Sequence, residues 1–166
     1  MTKNMPRATV LALLLGTTLL PGCALLVGGA AVSGVLVATD RRTSGAQLED
    51  QTIELKAASR VGAVSGGGNV AVTSHNRSAL ITGQVPSEAA RVAVEKEVAG
   101  IENVRAVINE LAVAGNSSLT QRSSDTIILA KVRAAFLDAK DLQSNAFSVT
   151  TEAGVVYLMG IVTERE

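Results

Sequence analysis

NVAVTSHNRSALITGQVPSEA, residues 69–89, has a second copy in the same chain: AFSVTTEAGVVYLMGIVTERE, residues 146–166. The two align without a gap at an offset of 77. Val72, Thr73, Gly83 and Val85 match Val149, Thr150, Gly160 and Val162. Each copy reads as strand, short polar turn, strand. β-branched runs flank HNRS in one and TEAG in the other, which is a hairpin signal.

Outward from the hairpins, each copy is preceded by a helix-like segment. These are LEDQTIELKAASRV and SDTIILAKVRAAFL, aligned at an offset of 74, so the second copy holds three more residues before its hairpin. After the first hairpin comes SEAARVAVEKEVAG. Ser87 suits an N-cap, Ala90, Val94, Val98 and Ile101 follow helical spacing, and Gly100 sits where a helix would end. NVRAVINELAV then reads as a strand. The first unit is therefore α-β-β-α-β over residues 48–113, followed by a polar linker, 114–122. The second unit, 123–166, stops after its hairpin, and Glu166 falls where its second helix should begin. On this reading the chain is a fragment of a longer protein. The fold class is α+β, with two tandem two-layer helix-on-sheet modules, the second truncated after its β-hairpin.

The N-terminus has another character. No charged residue occurs from Ala8 to Ala38, Lys3 and Arg7 precede this run, and Asp40-Arg41-Arg42 ends it. A charged start, an apolar run to Leu20 and small residues near position 22 match an export signal. Pro21 and the glycines at 22, 28, 29 and 34 make the run a poor continuous helix. The only cysteine, Cys23, lies inside it. LPGC, Leu20 to Cys23, resembles the lipobox of bacterial lipoproteins. A thiolate is a good nucleophile for alkylation by a lipid donor, and Gly22 leaves room at the cleavage site. The resemblance implies a signal peptide over 1–22, acylation of Cys23 and an apolar tether over 23–47. Cleavage would remove Lys3 and Arg7 and leave 13 basic against 15 acidic residues, a net of −2. Ala24, where retained inner-membrane lipoproteins commonly carry Asp, points by the same resemblance to the outer membrane. An uncleaved inner-membrane anchor is a weaker reading.

The α-β-β-α-β order resembles the BON domain, a small module of bacterial envelope proteins, over nearly all of residues 38–166. ATDRRTSGAQLEDQT and VTTEAGVVYLMGIVTERE look particularly like the dual-BON outer-membrane lipoproteins. The glycine-rich GAVSGGGN departs from that pattern. The resemblance implies a non-enzymatic lipoprotein on the periplasmic face of the outer membrane that contacts phospholipid and supports envelope integrity. The alternative is an interaction module that binds an envelope protein, with lipid only as anchor.

Composition limits other functions. Basic and acidic residues balance at 15 each, and Phe136, Phe147 and Tyr157 are the only aromatics. That argues against nucleic acid as partner, which wants a basic surplus and stacking platforms. The single histidine, His75, falls in a hairpin turn and reads as a solvated turn residue. SGGGN lacks the lysine and the strand-to-helix setting of a phosphate loop. The acidic residues show no metal-ligand spacing. No catalytic residue, cofactor or metal site is expected.

Two surfaces carry expectations of their own. Val156, Leu158, Gly160 and Val162 should face the helices. Val155, Tyr157, Met159 and Ile161 alternate onto the other side, so that strand needs cover on both faces, most simply from the first repeat. In the helix from Asp125 to about Ala139, the stripe Ile128, Val132, Ala135, Phe136 and Ala139 should pack on the sheet. Ile127, Ala130, Ala134 and Leu137 fall opposite, flanked by Lys131 and Arg133. Apolar residues bordered by cations suit an anionic phospholipid surface. Ile127, Lys131, Arg133, Ala134 and Leu137 are the expected membrane contacts.

Overall fold

Residues 40–166 are described in the computed structural model of the chain. The expected signal peptide, Cys23 and the tether as far as residue 39 lie outside the described residues. The elements are α1 (Ser44–Val64), β1 (Asn69–His75), β2 (Ser78–Val85), α2 (Glu88–Ala99), β3 (Ala106–Val113), α3 (Leu119–Asp138), a 3-10 turn (Ser144–Ala146), β4 (Phe147–Glu152) and β5 (Val155–Gly160). Together they form one compact unit from Asp40 to Glu166.

Helix α1 begins four residues before the expected module edge because Thr43 caps it, accepting the Ala46 N–H at 3.1 Å. Its buried residues, Ala46, Asp50, Ile53, Ala57 and Val61, recur every three or four positions and form one stripe. That stripe meets Ile81 and Val85 of β2 and Val94 and Val98 of α2 in the core. Burying a side chain such as Ile53 contributes roughly 1.5–3 kcal/mol. Ser87 caps α2 and Gly100 ends it, as the spacing predicts. The linker is shorter than expected. Ser118 accepts the Gln121 N–H and starts α3 at Leu119, inside the segment assigned to it.

Strand β2 is central in the first sheet, antiparallel to β1 and parallel to β3; β4 and β5 form a separate antiparallel hairpin. Both hairpins turn on two residues at positive φ, Asn76-Arg77 and Ala153-Gly154, the geometry that matches strand twist. Each turn is held by an aspartate from the preceding helix. Asp50 accepts the N–H groups of Asn76 and Arg77, both at 2.7 Å. Asp125 accepts those of Ala153 and Gly154, at 3.0 and 2.7 Å. The shared role corrects the helix alignment. Asp50 corresponds to Asp125, an offset of 75, and the second copy holds two extra residues, not three. The residue matches at 74 misled because they set exposed Ile127 against buried Ile53.

Gly83 and Gly160 match between the repeats for a steric reason. Gly83 has φ +121°, and a Cβ there would lie 1.9 Å from the Asn69 carbonyl oxygen; at Gly160 it would lie 2.5 Å from that of Ala146.

The two sheets pack face to face. Leu80, Thr82 and Gln84 point away from α1 and α2, yet all three are buried. Across from them the Thr73 and Thr150 hydroxyls meet at 3.4 Å, and Gln84 Nε2 donates to Glu152 at 2.7 Å. Tyr157 and Met159, on the same face of the hairpin as Thr150, are half-buried. Helices therefore lie outside and sheets inside, and the expected cover of that face of the second hairpin is only partial: Tyr157 and Met159 are half-buried, but Val155 and Ile161 remain exposed at its two ends. Its inner face is only partly covered. Val149 is buried beneath α3, but Leu158 is 52% exposed where its counterpart Ile81 is fully buried under α2.

Candidate membrane-contact site

Helix α3 divides into two faces. Toward the sheet, Ile128, Val132, Phe136 and Ala139 are half-buried, and the Phe136 ring lies 5.0 Å from that of Phe147. Ala135, expected on this face, is exposed. On the other face Ile127 (56%) and Leu137 (73%) are open to solvent, as are Ala130, Lys131, Arg133 and Ala134. All five expected contact residues are exposed, but Arg133 and Leu137 also line a cavity beside Phe136 and Phe147. Leu119, 80% exposed at the first turn, falls on the same stripe at 100° per residue. It was missed because the helix was expected to begin at Asp125. From Leu119 to Leu137 the stripe runs about 27 Å.

This face carries the cations Lys131 and Arg133 and, near its C-terminal end, the exposed Asp138. Lys131 and Arg133 are in no ion pair among the described residues. Asp125, the acidic residue earliest in the helix, is buried beneath it at the hairpin turn. The matching helix α1 differs. Its exposed side carries Leu48 (65%) and Leu55 (75%) among Gln51, Ser59 and Arg60, and its cation Lys56 is paired to Glu102.

The polar centre of the first repeat lies at the start of α1. Asp50 also accepts from Ser74 Oγ at 2.7 Å and from Arg42 Nη1 at 2.8 Å. Arg42 in turn grips Asp40. Burial pushes the Asp50 carboxyl up, but the donors from Arg77, Ser74, Arg42 and Asn76 outweigh it and hold the carboxyl below its ordinary value. His75 is not the solvated turn residue that its neighbours suggest. It ends β1 with 5% exposure, and its Nδ1 has no hydrogen-bond partner. Burial, then the Arg42 charge, lowers its pKa. The turn is only Asn76 and Arg77, so His75 remains in the strand and faces the second repeat. Among the described residues, no three His, Cys, Asp or Glu side chains are placed to hold a metal ion, and no helix is long and apolar enough to cross a membrane.

Comparison with known proteins agrees with this architecture. The BON domain family matches residues 49–115 and 124–166. The outer membrane lipoprotein DolP of Haemophilus influenzae is 36% identical over 162 residues, covering 94% of this chain and 83% of its own length. A 21 kDa hemolysin of Actinobacillus pleuropneumoniae is 27% identical over 73% of this chain and 64% of its own. An uncharacterized protein of Anaplasma centrale is 33% identical over 52% of this chain and 58% of its own.

Proposed function

The chain belongs to the BON-domain family of outer-membrane lipoproteins, and on that premise we propose that it binds anionic phospholipid through the outer face of α3 and thereby supports envelope integrity. One observation carries the reading: Ile127 and Leu137, open and apolar, flanked by the unpaired cations Lys131 and Arg133. Such a helix can lie in the interface, with its apolar stripe at the acyl boundary and its cations among head groups. Each cation near an anionic surface contributes roughly 1 kcal/mol. Lipid on Cys23 supplies the stable anchor, which a weak interfacial helix alone does not. No reaction chemistry is assigned; the protein works by holding a surface.

The test is co-sedimentation of the Asp40–Glu166 unit with vesicles of phosphatidylglycerol and phosphatidylcholine. Lys131→Glu combined with Arg133→Glu, and Ile127→Asp alone, should each reduce binding by more than tenfold while melting as the parent does. Unchanged binding by folded variants would remove the site from α3 and favour a protein partner.

A further inference from the structure

A cavity of about 380 Å³ opens between the two repeats, lined by Arg42 and His75 of the first and by Arg133, Phe136, Phe147 and Val149 of the second. Its charged lining is entirely basic: no carboxylate lines it. His75 is almost fully buried, and its Nδ1 lacks a partner. A buried polar atom left unpaired is costly and needs an explanation. Of the five N–H donors of a guanidinium, Arg42 commits three to Asp40 and Asp50. Two remain.

We propose that this cavity binds one small anion, a phosphate or carboxylate group on a short apolar chain. The anion lies against His75, Arg133 and the two free donors of Arg42, and Ser148 adds a hydroxyl. The chain lies against Phe136, Phe147 and Val149. Asp40 and Asp50 stand behind Arg42 and offset much of its charge. Arg133 is therefore the free cation, and His75 adds a second charge when protonated. Binding takes up a proton at His75, so affinity rises as pH falls toward the imidazole range. The site takes single molecules and does not rest on the membrane reading, although Arg133 also borders that face.

His75 is the only histidine, so its imidazole signals report the site unambiguously. The Asp40–Glu166 unit is titrated with hexyl phosphate, hexanoate, inorganic phosphate and monomeric dihexanoyl phosphatidylglycerol. Hexyl phosphate and hexanoate should shift the His75 signals saturably, raise its pKa, and bind roughly tenfold more tightly than inorganic phosphate, about 1.4 kcal/mol. Affinity should increase between about pH 8 and pH 6. Arg133→Gln should weaken binding roughly tenfold as read from the His75 signals, and His75→Gln, titrated by calorimetry instead, should do the same. A matching His75 response to the lipid makes a phospholipid molecule the source; a response to the soluble amphiphiles alone makes it a free metabolite. No saturable shift from either amphiphile, inorganic phosphate binding equally well, or a flat pH profile in the parent protein would each overturn the proposal. The last needs no variant to fold.

Discussion

Thr73 and Thr150 hold the same place in the two repeats, and their hydroxyls meet at 3.4 Å. A residue that touches its own counterpart lies on the axis relating the copies, as in an isologous dimer interface. The two hairpins thus meet at equivalent positions, though with unequal cover: Leu80 is buried and its counterpart Tyr157 is half-buried. The repeats dock like the halves of a homodimer, through the sheet faces turned away from their helices.

That geometry can be trapped. Thr73→Cys with Thr150→Cys should form an intramolecular disulfide under mild oxidation, since the two side chains already meet. Mass spectrometry should show the loss of two hydrogens within one chain. Cross-linking only between chains would contradict the face-to-face docking.

The two turn-holding aspartates should differ in worth. Asp50 satisfies four donors, including the charged Arg42; Asp125 satisfies two backbone N–H groups. Removing a buried carboxylate that also neutralises a charged partner costs roughly 3–5 kcal/mol, whereas leaving only two backbone N–H groups without their acceptor costs about 1–3. Asp50→Ala should therefore lower the denaturation midpoint more than Asp125→Ala, as chemical unfolding would show. Equal losses would be inconsistent with the unequal donor counts.

Acid should act in two windows. The folded-state pKa of His75 lies below its ordinary 6.5, so the unfolded chain binds the proton first. Stability is full above that value and declines as pH falls through it. Asp50 and Asp40 lie below their ordinary 3.8. For both, burial works against the shift and is outweighed by their donors. Their contribution is full above the ordinary value and is lost as pH falls further through the depressed one. Melting temperature against pH should show both declines in the parent, and His75→Gln should abolish only the upper one.

Gly83→Ala should cost roughly 2–4 kcal/mol, because the new Cβ meets the Asn69 carbonyl and the backbone is left-handed there. Gly67→Ala, also at positive φ but with open space around it, should cost about 1 kcal/mol. Thermal melts of the two variants would check the order.

Cys23→Ala should leave a precursor that incorporates no labelled fatty acid and keeps residues 1–22. Normal processing of that variant would dismiss lipidation at this position.

The sequence by itself determined the repeat, the hairpins, the caps at Ser87 and Gly100, and both faces of α3. These follow from periods of 2 and 3.6 and from local capping chemistry, which neighbouring residues suffice to specify. Tertiary structure alone decided what crosses between distant segments. Nothing local marks Asp50 and Asp125 as the acceptors that hold the hairpin turns. His75 read as a turn residue until the second repeat buried its strand end. Leu80, Thr82 and Gln84 form a half-polar strand face, and they are buried because the other hairpin lies across them. Burial is a property of what packs against a residue, and between repeats 77 positions apart no local pattern records it.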